Sequence, residues 1–279
     1  MPEWRRITFS VSQPFHEAVI VRLHEIGSLG VETVGTDLCA WFASGVDETA
    51  LLREVEQALG GAACVRIVAS EPVKDGFWHE RWMEGLEPFD VGERFIVVPG
   101  PVTPSDTRGR FLIRLTPGRA FGTGEHSTTQ MCLRLIEQVL HKGDSLLDAG
   151  TGSGILAIAA RMLGGDRVVG VDIDETAVSV AARNVALNEV VGVHLIAGTL
   201  EALIWRPFEI VVANINGSAL LRLMPSLSTL TRREAILSGI LKEEEKDVAG
   251  AAARCGLIVA GRLAEGDWVA MRLSRQPRG

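Results

Sequence analysis

Two acids and three glycines carry the first chemical signal in the chain. Asp148-Ala-Gly150-Thr-Gly152-Ser-Gly154 follows a short apolar run, and behind it Ile155, Leu156, Ile158, Ala159 and Met162 recur at helical spacing. The segment predicts a strand, a glycine turn and a helix. A second apolar run, Val168 to Val171, ends in Asp172, 22 positions beyond Gly150. A strand, crossover helix and parallel strand of this kind gather the glycines and the acid outside the carboxyl ends of the strands, where ligands bind. Glycine allows the tight turn and lets a nucleotide-sized ligand approach the helix start. An acid about 20 positions on is placed to accept from both hydroxyls of a ribose, so the expected ligand carries an unphosphorylated ribose.

Two nucleoside cofactors answer to that description. Gly152-x-Gly154-x-x-Ala157 satisfies the dinucleotide fingerprint, which keeps a nicotinamide-dependent oxidoreductase open. The register favours another reading. The series D-x-G-x-G-x-G starting at Asp148 resembles methyltransferases that use S-adenosylmethionine. A carboxylate at the strand tip repels a pyrophosphate but suits the ammonium and sulfonium charges of that cofactor.

Three further polar residues lie where such a ligand would be reached. Gly118, Gly122 and Gly124 make a glycine loop just before the central strand, expected to fold over a bound nucleoside as a lid. Ser127-Thr128-Thr129 is expected to cap a helix over 130–140, and a cap at Thr129 is compatible with ligand binding at the same helix end. His126 reads either as a loop histidine bonded to backbone or as a proton-transfer group. Asn214 ends the strand Phe208 to Ala213; it either reaches a ligand over the sheet or serves a tight turn.

The elements that position these residues fall into three segments. Residues 1–70 read as βαββαβ, a ferredoxin-like α+β domain: strands over 5–11, 31–34, 38–43 and 64–68, and helices over 15–26 and from the Asp47 cap to Leu59. Residues 71–116 read as a linker with connecting strands at 95–99 and 111–115; Trp78 and Trp82 in it share a helical spacing that suits plain packing. Residues 117–279 alternate strands and helices and close with a hairpin over 257–262 and 267–273, which fits a seven-stranded, Rossmann-like α/β sheet.

Composition bounds the partners. The chain has 279 residues, 47% hydrophobic and 23% charged, and no apolar run near the ~18 residues that span a bilayer. A cytoplasmic location and no membrane partner are expected. Cys39, Cys64, Cys132 and Cys255 lack C-x-x-C spacing, so neither disulfide nor metal is expected. Tyrosine is absent, which removes phenol chemistry. Residues 1–75 hold 6 Lys and Arg against 11 Asp and Glu, which gives that quarter −5 of the formal −7. Such a module disfavours nucleic acid and suits a basic partner, or else is simply a solvated acidic face.

Over essentially its whole length the chain resembles the PrmA family of ribosomal protein L11 methyltransferases. The resemblance rests on Pro117-Gly-x-Ala-Phe-Gly-Thr-Gly-x-His-x-Thr-Thr, on Asp148-x-Gly-x-Gly-Ser-Gly-Ile-Leu-Ala-Ile-Ala-Ala, and on Gly170-x-Asp-Ile-Asp, Val212-Ala-Asn-Ile and Leu237-Ser-Gly-Ile-Leu. It implies a class I methyltransferase domain behind a ferredoxin-like recognition domain. It also implies S-adenosylmethionine held at Thr129, Gly150, Asp172 and Asn214, with Asp148, Gly152, Gly154 and Phe121 beside them, and methylation, more than once, of amines on a small basic ribosomal protein. The chain departs from relatives at Thr151, where cysteine is frequent, at Ser127, where many carry proline, and at Asn216-Gly217-Ser218, which replaces a more apolar stretch.

The chemistry so implied is an in-line displacement by an amine lone pair. A lysine of reference pKa ~10.4 or an α-amine of ~7.7–8.0 must first lose its proton, and desolvation in a closed pocket lowers an amine's pKa. Asn214 is the expected pocket acceptor or positioning group, with His126 as the candidate for proton transfer. Methylation of RNA or a small molecule, nicotinamide-dependent oxidation, and cofactor-bound regulation without catalysis stand as the alternatives.

Overall fold

In the computed structural model, residues 4–28, 30–43, 45–59, 65–73, 87–99, 104, 106–116, 124–203 and 206–276 are described. They divide into two compact units, Met1–Gly85 and Leu86–Gly279. In the first, Trp4–Val11 (β1), His16–Glu25 (α1), Val31–Val34 (β2), Asp37–Ala43 (β3), Glu48–Ala58 (α2) and Val65–Val73 (β4) follow the βαββαβ order. All pairs are antiparallel, in the order β2-β3-β1-β4, which is ferredoxin-like. Strand alternation sends Ile7, Phe9 and Val11 of β1 and Leu38, Ala40 and Phe42 of β3 into one core, which Val19, Leu23, Leu51 and Val55 of the two helices complete. Asp47 caps α2 by accepting from the Thr49 and Ala50 N–H groups at 2.9 and 3.1 Å. β4 continues past the Val68 at which the sequence pattern ends, pairing Pro72 with Arg5 and Val73 with Trp4. It is an edge strand, so its outer residues are polar or exposed and the alternation fades before the pairing does.

The second unit holds two sheets. Phe89–Val91 (β5), Phe95–Val98 (β6) and Phe111–Arg114 (β7) form a small three-stranded sheet, with β6 and β7 parallel. There follow Ser127–Val139 (α3), Leu146–Ala149 (β8), Ile155–Met162 (α4), Val168–Asp172 (β9), Glu175–Leu187 (α5), Val193–Ala197 (β10) and Phe208–Asn214 (β11). Gly217–Leu230 (α6), Thr231–Leu241 (β12), Glu245–Arg254 (α7), Leu257–Glu265 (β13) and Trp268–Arg275 (β14) close the chain. The large sheet has the order β10-β9-β8-β11-β12-β14-β13, parallel except for β14, which runs antiparallel to both neighbours.

Central strands buried on both faces explain the apolar runs that mark them in the sequence. One face of the sheet packs against α3 and α4 through Met131, Leu135, Ile155 and Ile158. The other packs against α6 and α7 through Leu220, Met224, Leu227 and Val248. Burying each such side chain contributes ~1.5–3 kcal/mol before entropy is counted. From β8 the chain moves outward to β9 and β10, then returns to lay β11 on the other side of β8. The carboxyl ends of β8 and β11 thus flank the switch point, where open α/β sheets bind ligands. Among the described residues, no helix is long and apolar enough to cross a membrane.

Candidate active site

The glycine turn leaves β8 at the switch point and is held by backbone. The Gly150 and Thr151 N–H groups both donate to the Val171 carbonyl of β9, at 2.8 and 3.0 Å, and the Gly154 N–H donates to the Thr151 carbonyl at 2.8 Å. Gly150 has φ +79°, and a Cβ there would lie 2.6 Å from the Ile215 side chain. Gly154, with φ +81°, abuts Ala181 of α5, which a Cβ would approach to 3.0 Å. These two positions require glycine for conformation and for space.

Asp172 lies at the tip of β9 beside the turn. Its Oδ2 accepts from the Gly152 N–H at 3.0 Å and its Oδ1 from the Asp174 N–H at 3.1 Å. Two amides orient the carboxylate, and each oxygen retains a lone pair for a ligand hydroxyl.

Asp148 occupies a different layer. It is fully buried beneath the turn, where its Oδ2 accepts from the Thr151 hydroxyl at 2.7 Å and its Oδ1 has no hydrogen-bond partner. Burial pushes its pKa up to about 7; the Thr151 hydroxyl and the Ala157 amide pull the other way, and the charge of Asp172 adds to the rise. The structure brings Asp148, Gly150, Gly152, Gly154 and Asp172 into one assembly, in which Asp148 supports the turn from below.

The opposite wall is built from the ends of β11, β12 and α3. Asn214 pairs in register with Ser238, and its Nδ2 donates to Thr129 Oγ1 at 3.3 Å. The Ser238 hydroxyl donates to the Thr128 carbonyl at 3.3 Å, tying the first turn of α3 to the same strand ends. Asn214 Oδ1 is buried and has no partner. Among the described residues, the buried side-chain oxygens lacking a partner are those of Asp148 and Asn214, both at this site.

The cap of α3 differs from the sequence expectation. Ser127, Thr128 and Thr129 form the first turn, and His126 is the cap: its Nδ1 accepts from the Thr128 N–H at 3.3 Å and shares a 2.7 Å hydrogen bond with the Thr128 hydroxyl. The ring meets Trp268 edge-on at 5.1 Å between centroids. Burial lowers the His126 pKa, so the ring is neutral near pH 7. With the capping duty moved to His126, the Thr129 hydroxyl is left to meet Asn214. Phe121, like Trp78 and Trp82, lies outside the described residues.

The sequence pattern did not point to Thr151, Trp268 or Ile215 as parts of this assembly, and only contacts distant along the chain reveal them. Asn184 did leave a signal. It falls on the buried stripe Ala177, Val180, Ala181 of α5, and a polar residue at a core position calls for hydrogen-bonding partners.

The strand order and the turn at its switch point define a class I methyltransferase of the S-adenosylmethionine-dependent kind. A family model described as ribosomal protein L11 methyltransferase (PrmA) matches residues 33–276. Relatives named ribosomal protein L11 methyltransferase include one from Streptococcus equi subsp. zooepidemicus (strain MGCS10565), 30% identical across 97% of this chain and 96% of its own length. Another, from Lactococcus lactis subsp. cremoris (strain SK11), is 32% identical across 96% of this chain and 95% of its own. A crystal structure of ribosomal protein L11 methylase from Lactobacillus delbrueckii subsp. bulgaricus superposes with a TM-score of 0.63 at 32% identity, covering 68% of this chain and 99% of that one. The chain belongs to the ribosomal protein L11 methyltransferase (PrmA) family. Membership decides between the methyltransferase and the nicotinamide enzyme that the glycine fingerprint left open.

Proposed function

We propose that the chain methylates amino groups of a basic large-subunit ribosomal protein, drawing the methyl group from S-adenosylmethionine bound over the glycine turn. The residues present fit that cofactor. Asp172 retains acceptor capacity for a ribose diol, and the turn exposes backbone rather than side chains at the helix start. Asp148 supplies negative charge under a cationic ligand, and Thr151 steadies that carboxylate. When bound, S-adenosylmethionine supplies an electrophilic methyl on a sulfonium, so the site has only to desolvate and aim an amine.

The observation that carries the reading is the buried, unpartnered Asn214 Oδ1. Leaving such an oxygen unpaired costs ~1–3 kcal/mol, which a hydrogen bond from a substrate amine would recover. In this account Oδ1 accepts an N–H of the amine and fixes its lone pair in line, while Thr129 fixes the Asn214 amide. His126 spends its Nδ1 on the helix cap, and in this account the amine loses its proton through desolvation. The acidic first unit is the recognition element for the basic substrate; a chain starting at Leu86 is expected to bind cofactor and to leave the ribosomal protein unmodified.

Incubation with methyl-labelled S-adenosylmethionine and separated ribosomal proteins and RNA, followed by mass spectrometry, tests the substrate assignment. Label on the amines of one basic ribosomal protein is the expected result, and label on RNA alone would overturn it.

A further inference from the structure

β7 is an edge strand, and its outer side is paired by two asparagines, Asn184 within α5 and Asn188 at the C-cap of that helix. The Phe111 and Leu115 N–H groups donate toward β6, to the Arg94 and Val98 carbonyls at 2.8 and 2.9 Å. Alternation therefore turns the backbone of Arg114 and Thr116 outward, toward α5. There Asn188 answers Arg114 at both groups: its Oδ1 accepts from the Arg114 N–H at 2.8 Å and its Nδ2 donates to the Arg114 carbonyl at 2.6 Å. Asn184 answers Thr116, its Oδ1 accepting from the Thr116 N–H at 2.8 Å and from the Thr116 hydroxyl. Four residues of helix advance ~6 Å and two residues of strand ~6.6 Å, so one amide per helical turn meets every second strand residue.

Asn184 does one thing that Asn188 does not. Its Nδ2 donates to the Ser153 carbonyl, inside the glycine turn, at 2.8 Å. The residue is fully buried, and its amide has a partner on each side. One rigid planar group thus fixes the distance between the turn and the end of β7. Asparagine is a poor residue for a helix interior, and a small apolar residue would continue the Ala177, Val180, Ala181 stripe.

We propose that Asn184 is a positioning residue for the cofactor site: it locks the Ser153 carbonyl, and with it the conformation of the glycine turn, to the backbone of Thr116. The proposal rests on the reading of this turn as the S-adenosylmethionine site. It assigns Asn188 a purely structural part, the docking of β7. The two asparagines lie one helical turn apart, Asn184 inside α5 and Asn188 at its C-cap, and both bond the backbone of the β7 end, so the comparison isolates the bond to Ser153 that Asn184 alone makes.

The test compares the Asn184→Ala and Asn188→Ala full-length chains with the unaltered one, by calorimetric titration with S-adenosylmethionine well below all three melting temperatures. Asn184→Ala is expected to raise Kd at least tenfold, with KM for the cofactor rising in step and kcat at saturating cofactor changing less than threefold. Asn188→Ala is expected to lower the melting temperature yet shift Kd less than twofold. Equal Kd shifts in the two variants, or none in Asn184→Ala, would overturn the proposal. Should Asn184→Ala fail to fold, Thr116→Val, which removes the hydroxyl donor and keeps the N–H, carries the test: about a threefold rise in Kd supports the proposal and unchanged affinity overturns it. If the unaltered chain itself binds no S-adenosylmethionine, it is the underlying reading of the site that fails.

Discussion

The two walls of the site are built on opposite principles. On the glycine-turn side the groups of the turn and of Asp172 are paired: Val171 takes two amides, Asp172 takes two more, and Asn184 donates to the Ser153 carbonyl; the open oxygen on this side, Asp148 Oδ1, lies buried beneath the turn. On the Asn214 side an oxygen is buried and left open. A turn so paired is preorganised, so a ligand lying on it meets a fixed surface and costs little reorganisation. An unsatisfied wall holds free energy in reserve for a group that arrives later. The proposed function gives the paired wall to the cofactor, which must be held through the reaction, and the open wall to the amine, which must be seized and released.

Perturbing each wall in turn separates their roles. The largest effect is expected on the open wall: Asn214→Ala should lower kcat for the ribosomal protein by about 10²- to 10³-fold, the range for removing one positioned hydrogen bond to a reacting group. Steady-state and single-turnover assays read this directly. On the paired wall, Asp172→Ala removes charge-assisted hydrogen bonds to the ribose and should weaken S-adenosylmethionine binding by ~2–4 kcal/mol, which equilibrium binding measures.

Asp148 gives the paired wall a pH dependence of definite sign. Its folded pKa lies above its unfolded one, so between about pH 4 and pH 7 the folded state holds the extra proton and stability falls as pH rises. Asp148→Asn should therefore gain stability relative to the unaltered chain from pH 5 to pH 8, on the order of a few kcal/mol, in denaturant melts. The same variant should flatten the rise of cofactor affinity across neutrality, because the anionic carboxylate is the form that favours a cationic ligand.

His126 sharpens the contrast at smaller scale. Replacing a good cap by alanine costs ~1 kcal/mol, whereas His126→Asn retains a capping side chain. Asparagine at 126 should thus preserve the melting temperature and keep kcat within about threefold with an unshifted pH profile. A loss of a hundredfold would return His126 to proton transfer. The smallest effect concerns encounter: raising salt should lower kcat/KM for the basic substrate severalfold and leave cofactor affinity unchanged, because exposed carboxylates steer over a Debye length of ~8 Å. Among these carboxylates Glu54 already pairs with Arg22, so the steering falls to others such as Glu56.

The paired wall was legible in the sequence because its parts are local. Gly150, Gly152, Gly154 and Asp172 sit at fixed offsets in one strand-helix-strand unit, and the strands around them announce themselves by unbroken apolar runs. The open wall was legible only in outline. Asn214 could be placed at a strand end, but its partner Thr129 lies 85 positions away, and no periodicity encodes that meeting. The depth of Asp148 was hidden for another reason: a strand tip looks exposed in sequence, and only the Thr151 hydroxyl folded over it shows that it faces inward. The cap at His126 was missed because Ser and Thr are the stronger capping types, and three of them follow directly.

The division between the walls is tested most directly by titrating S-adenosylmethionine into Asp172→Ala and Asn214→Ala side by side, each also assayed for methyl transfer at saturating cofactor. The account predicts that Asp172→Ala loses affinity by well over tenfold, and that Asn214→Ala binds within about tenfold of the unaltered chain while transferring methyl at least a hundredfold more slowly. Equal losses of affinity in the two variants, with transfer in Asn214→Ala undiminished once cofactor is saturating, would contradict it.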